Sequence, residues 1–167
     1  MLIRNFVAYA IELLITGVPH RVVHDLESLF FVLLFICTHL DGPQKIHDPP
    51  LYGGKNESTH PSPMSSWLDM KDLRSLGFKK NGAMVDFEKT VLPHISPYFL
   101  PLAPHLISLW RALHPVGPGP SEHGTFHSFA NPIDIINVFK AALLDQTLIN
   151  QARSSATPAN VHFNFPV

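Results

Sequence analysis

Cysteine is almost absent from this sequence: Cys37 is the single cysteine in 167 residues. An intrachain disulfide is therefore impossible, and a reducing compartment is the natural setting, so we expect an intracellular protein, cytoplasmic or nuclear. Cys37 lies within an apolar run. We expect it to be a small buried hydrophobe rather than a redox group.

Charge is also scarce. Charged residues make up 15% of the chain, and 12 Lys and Arg stand against 13 Asp and Glu, a formal net charge of −1. Nucleic acids and anionic membranes bind proteins through concentrated positive charge, so neither is an expected partner. Hydrophobic residues amount to 46% of the chain, which is enough to form the core of one medium domain.

The sequence has no long hydrophobic run. Residues 29–37 are continuously apolar but cover only about half of the roughly 20 residues that cross a bilayer, and we expect a helix buried on all sides of a globular fold. Near the start, Arg4 precedes an apolar stretch that Glu12 interrupts, and Ala8-Tyr9-Ala10 comes too early for signal cleavage. Neither secretion nor a transmembrane span is expected.

Helical spacing of apolar residues, without any convincing alternating run, predicts an all-α fold with two long irregular loops. An apolar pattern over residues 6–16 ends at Gly17. Asp25 is a favourable N-cap for a second helix that runs to about Thr38 or Leu40, because its side chain can accept hydrogen bonds from the first turn.

Further helices are predicted over residues 67–76, with Ser66 as N-cap and Gly77 at the end, over 85–92 and over 102–113. The last predicted helix follows Asn131 as N-cap, with Pro132 in the first helical position. Residues 44–63 and 115–128 are rich in Pro, Gly and Ser and are predicted to be the loops. The organisation predicted is one partial domain, residues 1–153, followed by a flexible tail, residues 154–167.

Three motifs follow one another near the start of the chain. They are Ala10-Ile11-Glu12, Pro19-His20-Arg21 and His24-Asp25-Leu26-Glu27-Ser28, the last leading into the apolar run. This succession resembles the C-terminal lobe of the fungal-type protein kinase family. In that family an Ala-x-Glu element closes the activation segment, and a His-Asp-Leu-Glu-Ser run opens the large central helix of the lobe. The match is specific over residues 6–38 and looser beyond.

The resemblance implies structural roles for Glu12, Asp25 and Ser28. Asp25 would accept hydrogen bonds from the backbone of the catalytic loop, and Ser28 belongs to the same motif. Glu12 matches the glutamate of the Ala-Pro-Glu motif, which pairs with a buried arginine of the lobe. Arg111 is the nearest candidate for that partner, although it precedes the expected position. Ile11 replaces the usual proline, as is common in the fungal-type family.

The motifs that carry out phosphoryl transfer do not occur in these 167 residues: there is no Gly-x-Gly-x-x-Gly, no His-Arg-Asp and no Asp-Phe-Gly. In kinases these parts hold ATP and Mg²⁺ and supply the catalytic base. The sequence therefore predicts no catalytic, cofactor-binding or metal residue, and a chain that is inactive alone. The parent family transfers the ATP γ-phosphate to Ser and Thr hydroxyls of proteins.

Two hypotheses follow from these observations. The chain is either a C-terminal-lobe fragment of a kinase or a non-catalytic interaction module, a decoy or scaffold. In the second case the exposed lobe surface would bind a protein partner, and in either case the isolated chain would tend to self-associate.

Other candidate sites are weaker. His20 and His24 with Asp25 could bind zinc, but no third cluster has ligand spacing, and a solvated linker is the preferred interpretation. Ser28, Ser65 and Ser66 lack the Gly-x-Ser-x-Gly context of a hydrolase.

A modest basic cluster comprises Lys71, Arg74, Lys79 and Lys80. We expect it to be a solvated helix face, with docking of an acidic peptide as the alternative. Trp67 and Trp110 are expected to be core anchors.

Overall fold

A computed structural model describes residues 9–42, 63–68, 70, 72–115 and 130–155. The helices are α1 (Ile11–Thr16), α2 (Val22–His39), α3 (Pro63–Leu68), α4 (Leu73–Val85), α5 (Phe87–Thr90), α6 (Ala103–Leu113), α7 (Pro132–Leu144) and α8 (Gln146–Ser155). Two 3₁₀ segments, Leu92–His94 and Pro97–Leu102, connect α5 to α6. The described residues form no β-strand, which confirms the all-α prediction. Most of the two predicted loops and most of the predicted tail lie outside the described residues, whereas Pro63, assigned to the first loop, is the first residue of α3.

The core forms around α2, which packs against α6 and α7. Phe30, Phe31 and Leu34 on α2 are fully buried. The ring of Phe31 meets Trp67 edge to face with centroids 5.8 Å apart, and Phe30 lies at the same distance from Phe87. Such aromatic pairs add to the free energy gained by burying apolar area.

Trp67 is a core residue, as predicted, whereas Trp110 lies at the edge of the core. The Trp110 ring stacks on Phe87 with centroids 5.4 Å apart, and its Nε1–H donates to the Met84 carbonyl at 2.9 Å. The indole therefore joins α6 to the end of α4.

The start of α2 differs from the prediction. The helix begins at Val22, before the predicted N-cap Asp25. His24 closes the first turn: its Nδ1 accepts the backbone N–H of Arg21 at 3.1 Å, and its own amide donates to the Arg21 carbonyl at 2.9 Å. The N-cap prediction for Asp25 was wrong, because the helix already begins at Val22 with Arg21 as its N-cap residue, which places Asp25 inside the helix.

Other caps were predicted with mixed success. Asn131 accepts the Ile133 amide at 3.0 Å and caps α7 as predicted. Ser66 is not an N-cap, since it lies inside α3. The next long helix, α4, is instead capped by Asp72, whose carboxylate accepts the Ser75 amide at 2.7 Å.

Gly77 was predicted to end a helix but lies inside α4. A Cβ atom at Gly77 would lie 2.7 Å from Ile15 Cγ1 and 3.0 Å from Leu14 Cβ. The absence of a side chain therefore lets α1 approach α4 closely. This glycine serves helix packing and does not break the helix.

Of the two C-terminal helices, α7 was predicted and α8 was not. After α7, Asp145 accepts the Thr147 amide at 2.8 Å and starts α8, which includes Ser154, the first residue of the predicted tail. Asp145 also receives a hydrogen bond from His105 Nε2 at 2.9 Å, which ties this junction to α6.

By length and composition, α2 could cross a membrane, and half of it is buried inside the protein. The central helix of a soluble protein satisfies the same criterion, so this is weak evidence for a membrane span.

Candidate functional site

One face of α2 is exposed along the length of the helix. It consists of Val22 (64% exposed), Asp25 (68% for its side chain), Leu29 (49%), Val32 (42%) and Ile36 (36%). The spacing alternates between three and four residues, which places all five on one side of a helix. We call this surface the outer face of α2.

The outer face contradicts the expectation that α2 is buried on all sides. Phe30, Leu34 and Cys37 occupy the opposite side and are fully buried. A continuous apolar run shows that both sides of a helix are apolar, but coverage of each side depends on the elements that pack against it. The described elements cover one side of α2 only.

Asp25 lies at the N-terminal end of the outer face. Its carboxylate contacts His20 Nε2 at 3.1 Å and is otherwise open to solvent. Ser28, three residues further along α2, is half-buried. The outer face thus combines aliphatic groups with one carboxylate, which suits an apolar polypeptide segment that carries a hydrogen-bond donor or a cation at one end.

A cluster of buried polar side chains lies at the junction of α1 and α2. Glu12 is 6% exposed, and its Oε2 accepts hydrogen bonds from Arg21 Nη2 at 2.5 Å and from His24 Nε2 at 3.0 Å. Since His24 Nδ1 accepts the Arg21 amide, the ring proton belongs on Nε2, from which it donates to the carboxylate.

The predicted partner of Glu12 was Arg111, and the structure shows a different arrangement. Arg111 Nη2 donates to Glu88 Oε1 at 2.9 Å in an exposed ion pair. Glu12 instead pairs with Arg21, a short way along the chain at the start of α2. Arg21 belongs to one of the three motifs singled out in the sequence, so local spacing could have suggested it.

Glu27 on α2 is fully buried and was not predicted as a site residue. Its Oε2 accepts the Ile11 amide at 3.1 Å, and its Oε1 lies 3.8 Å from His114 Nε2. Glu27 therefore holds the start of α1 against α2.

Lys80 is also buried, whereas the sequence analysis placed it in a solvated basic cluster. It is fully buried, its Nζ donates to the Tyr9 carbonyl, and the same atom lies 3.5 Å from the centroid of the Phe31 ring. Burial lowers the pKa of Lys80 to about 7, and the charge of Glu27 opposes that shift.

The burial of Lys80 has a signal in the sequence. Leu76, Lys80 and Met84 recur every four residues and are all buried, so Lys80 belongs to the apolar face of α4. The signal was missed because the predicted helix ended at Gly77.

Two other members of the basic cluster, Arg74 and Lys79, are exposed. The Arg74 guanidinium lies 5.7 Å from the centroid of the Phe78 ring. Lys71 lies outside the described residues.

Within the described ranges, no three His, Cys, Asp or Glu side chains are grouped so that they could hold a metal ion. The rings of the two histidines considered for zinc meet edge to face with centroids 5.7 Å apart, but each contacts a different carboxylate: His20 that of Asp25, and His24 that of Glu12. Burial raises the pKa of the Cys37 thiol to about 12, so the sulfur is protonated at neutral pH.

Comparisons with protein-family models, with curated proteins and with solved structures find no match for this chain. The kinase resemblance is therefore carried by the sequence motifs alone.

Proposed function

We propose that this chain is the C-terminal lobe of a fungal-type protein-kinase-like domain and that it supplies no phosphotransfer chemistry itself. In this proposal α2 is the central helix of the lobe. Catalytic segments from outside these 167 residues would pack along its outer face. The observation that carries the proposal is the outer face itself, an aliphatic surface with a carboxylate at one end.

The place of Asp25 supports this assignment. The resemblance implies that Asp25 accepts hydrogen bonds from the backbone of a catalytic loop. The structure leaves most of its carboxylate exposed, beside Val22 and Leu29. A loop that bonded to Asp25 would also cover these aliphatic side chains. Complete burial of such a side chain is worth about 1.5–3 kcal/mol.

Glu12 gives a second line of support. The resemblance places it at the end of an activation segment, where a buried ion pair anchors the chain. Glu12 is buried and bound to Arg21, although the partner differs from the arginine expected late in the lobe. Glu12 and Arg21 thus form an ion pair beside the first turn of α2.

The transcript provides the first test. Mapping its 5′ end should reveal in-frame codons for His-Arg-Asp and Asp-Phe-Gly upstream of this segment. A transcript whose reading frame starts at Met1 would refute the catalytic-lobe proposal, because no group able to transfer phosphate would be encoded.

The extended protein allows a sharper test. Asp25→Asn should lower its kcat by an order of magnitude or more, because the catalytic loop loses its acceptor, while the melting temperature changes little. Asp134→Asn is the matched control, since Asp134 is an exposed aspartate on α7. Equal activity in the two variants would contradict the assignment of Asp25.

The alternative is a non-catalytic interaction module. It is favoured by a second exposed apolar row, on α7, which the catalytic-lobe proposal does not explain; its members are Ile133, Ile136, Leu143 and Leu144. If the chain acts alone, we expect these two apolar surfaces to bind protein partners or a second copy. Sedimentation of the 167-residue chain over a wide concentration range tests self-association directly.

A further inference from the structure

The backbone at the start of α1 is held by two buried ionisable side chains, a lysine and a glutamate. Lys80 Nζ on α4 donates to the Tyr9 carbonyl, and Glu27 Oε2 on α2 accepts the Ile11 amide at 3.1 Å. Both hydrogen bonds hold the short segment from Tyr9 to Ile11. Docking of α1 therefore depends on a site that contains a fully enclosed amine.

The surroundings of the amine are mostly aromatic. Its Nζ lies 3.5 Å from the centroid of the Phe31 ring and 5.7 Å from that of Trp67. Four other ionisable side chains lie in the same part of the protein. They are Glu12 on α1, His24 and Glu27 on α2, and His114, directly after α6.

A neutral amine fits this site better than an ammonium ion. The neutral form still has an N–H to donate to the Tyr9 carbonyl, so this hydrogen bond does not require the charge. The charged form loses its hydration, and Glu27 and the Phe31 ring face return only part of that free energy.

We propose that undocking of α1 from α4 is coupled to the uptake of one proton by Lys80, so that acidification toward neutral pH loosens α1. The amine contacts the Tyr9 carbonyl two residues before α1, and departure of Tyr9 together with α1 admits water to it. Once solvated, the amine is charged at every physiological pH.

The pH window follows from the two states of the amine. Docked Lys80 has a pKa of about 7, whereas a solvated lysine has the ordinary value of 10.5. Between these values the undocked state binds more protons, so α1 docks more tightly as the pH rises. Below about pH 7 both states are protonated, and the dependence on Lys80 disappears. This device is independent of the proposed docking at the outer face of α2.

Hydrogen exchange at the α1 amides measures the effect in the full chain. After correction for the intrinsic exchange rate, the opening constant of α1 should fall up to about tenfold per pH unit above neutrality. Lys79→Met, an exposed neighbour on the same helix, should keep this slope. Lys80→Met should abolish it while keeping the four other ionisable groups. A wild-type opening constant that does not change with pH would overturn the proposal.

A direct titration keeps the proposal falsifiable if Lys80→Met does not fold. The ¹³Cε resonance of Lys80 in the folded wild-type chain should titrate near pH 7. A Lys80 resonance that titrates near 10.5 in the folded protein would overturn the coupling.

Discussion

Glu27 and Ile11 lie sixteen residues apart in sequence, and the carboxylate of the first accepts the backbone N–H of the second at 3.1 Å. The N-cap residue of α1 is Ala10, which has no side chain able to accept a hydrogen bond. A buried carboxylate from α2 therefore takes the place of a capping side chain. Through this bond the central helix fixes both the position and the start of α1.

Replacing Glu27 by leucine should lower the free energy of unfolding by about 3–5 kcal/mol. The change leaves the Ile11 N–H without its acceptor and the Lys80 amine without the carboxylate that favours its charge. Glu27→Gln should cost less, because an amide oxygen can still accept the N–H. Urea unfolding followed by circular dichroism measures both.

Glu88→Leu is the control for this comparison. Glu88 pairs with Arg111 in an exposed ion pair, and such pairs contribute at most about 1 kcal/mol. If the Glu27 and Glu88 variants lost equal stability, Glu27 would not be the anchor of α1.

The two glycines of α4 should respond oppositely to alanine. Gly82→Ala should raise the free energy of unfolding by up to about 1 kcal/mol, because a Cβ there meets nothing within 4 Å and alanine favours helix. Gly77→Ala should lower it by about 1–3 kcal/mol, since the new Cβ would lie 2.7 Å from Ile15 Cγ1. Thermal unfolding of both variants gives the signs, and a stabilised Gly77→Ala would show that α1 does not pack on α4 as described.

These contacts also mark what the sequence could predict. Apolar periodicity predicted the existence of α2, α6 and α7, and turn chemistry predicted the Asn131 cap, because both signals are local. Gly77 was misinterpreted for the opposite reason. Its role depends on Leu14 and Ile15, which lie on a different helix and are distant in sequence.

Charged residues were the hardest to place. Asp25 was assigned to a cap and Glu12 to Arg111, whereas in the structure Arg21 is the N-cap residue of α2 and is also the partner of Glu12. Composition favours the surface for any lysine, and only continuation of α4 past its glycine would have placed Lys80 inside. Tertiary packing decided each case.

Cys37 should be unreactive in the folded protein. Its sulfur is buried, and burial raises the thiol pKa to about 12, so the nucleophilic thiolate is rare at neutral pH. Reaction with Ellman's reagent should be slow in buffer and fast in urea above the unfolding midpoint. Because Cys37 is the single cysteine, the rate reports unfolding of the core directly. Rapid stoichiometric labelling in buffer would contradict its burial.

The outer face of α2 should tolerate polar substitution. Leu29→Gln and Val32→Gln lie at exposed positions, and glutamine is a good helix former, so each should change the free energy of unfolding by no more than about 0.5 kcal/mol. Leu34→Ala, on the buried side of the same helix, should cost about 2–5 kcal/mol. Large losses at Leu29 and Val32 would mean that this face is already covered within the chain.

The same two substitutions test what the face is for. A polypeptide that packs along α2 gains its free energy from burying these aliphatic groups, so the double variant should weaken its binding at least tenfold while the fold is retained. Ile133→Gln with Leu143→Gln is the control on α7, where the two side chains are more exposed than Leu29 and Val32. If the α7 pair weakens binding equally, apolar area in general drives the association. If only the α2 pair does, the segment is held specifically along the face that begins at Val22 and includes Asp25.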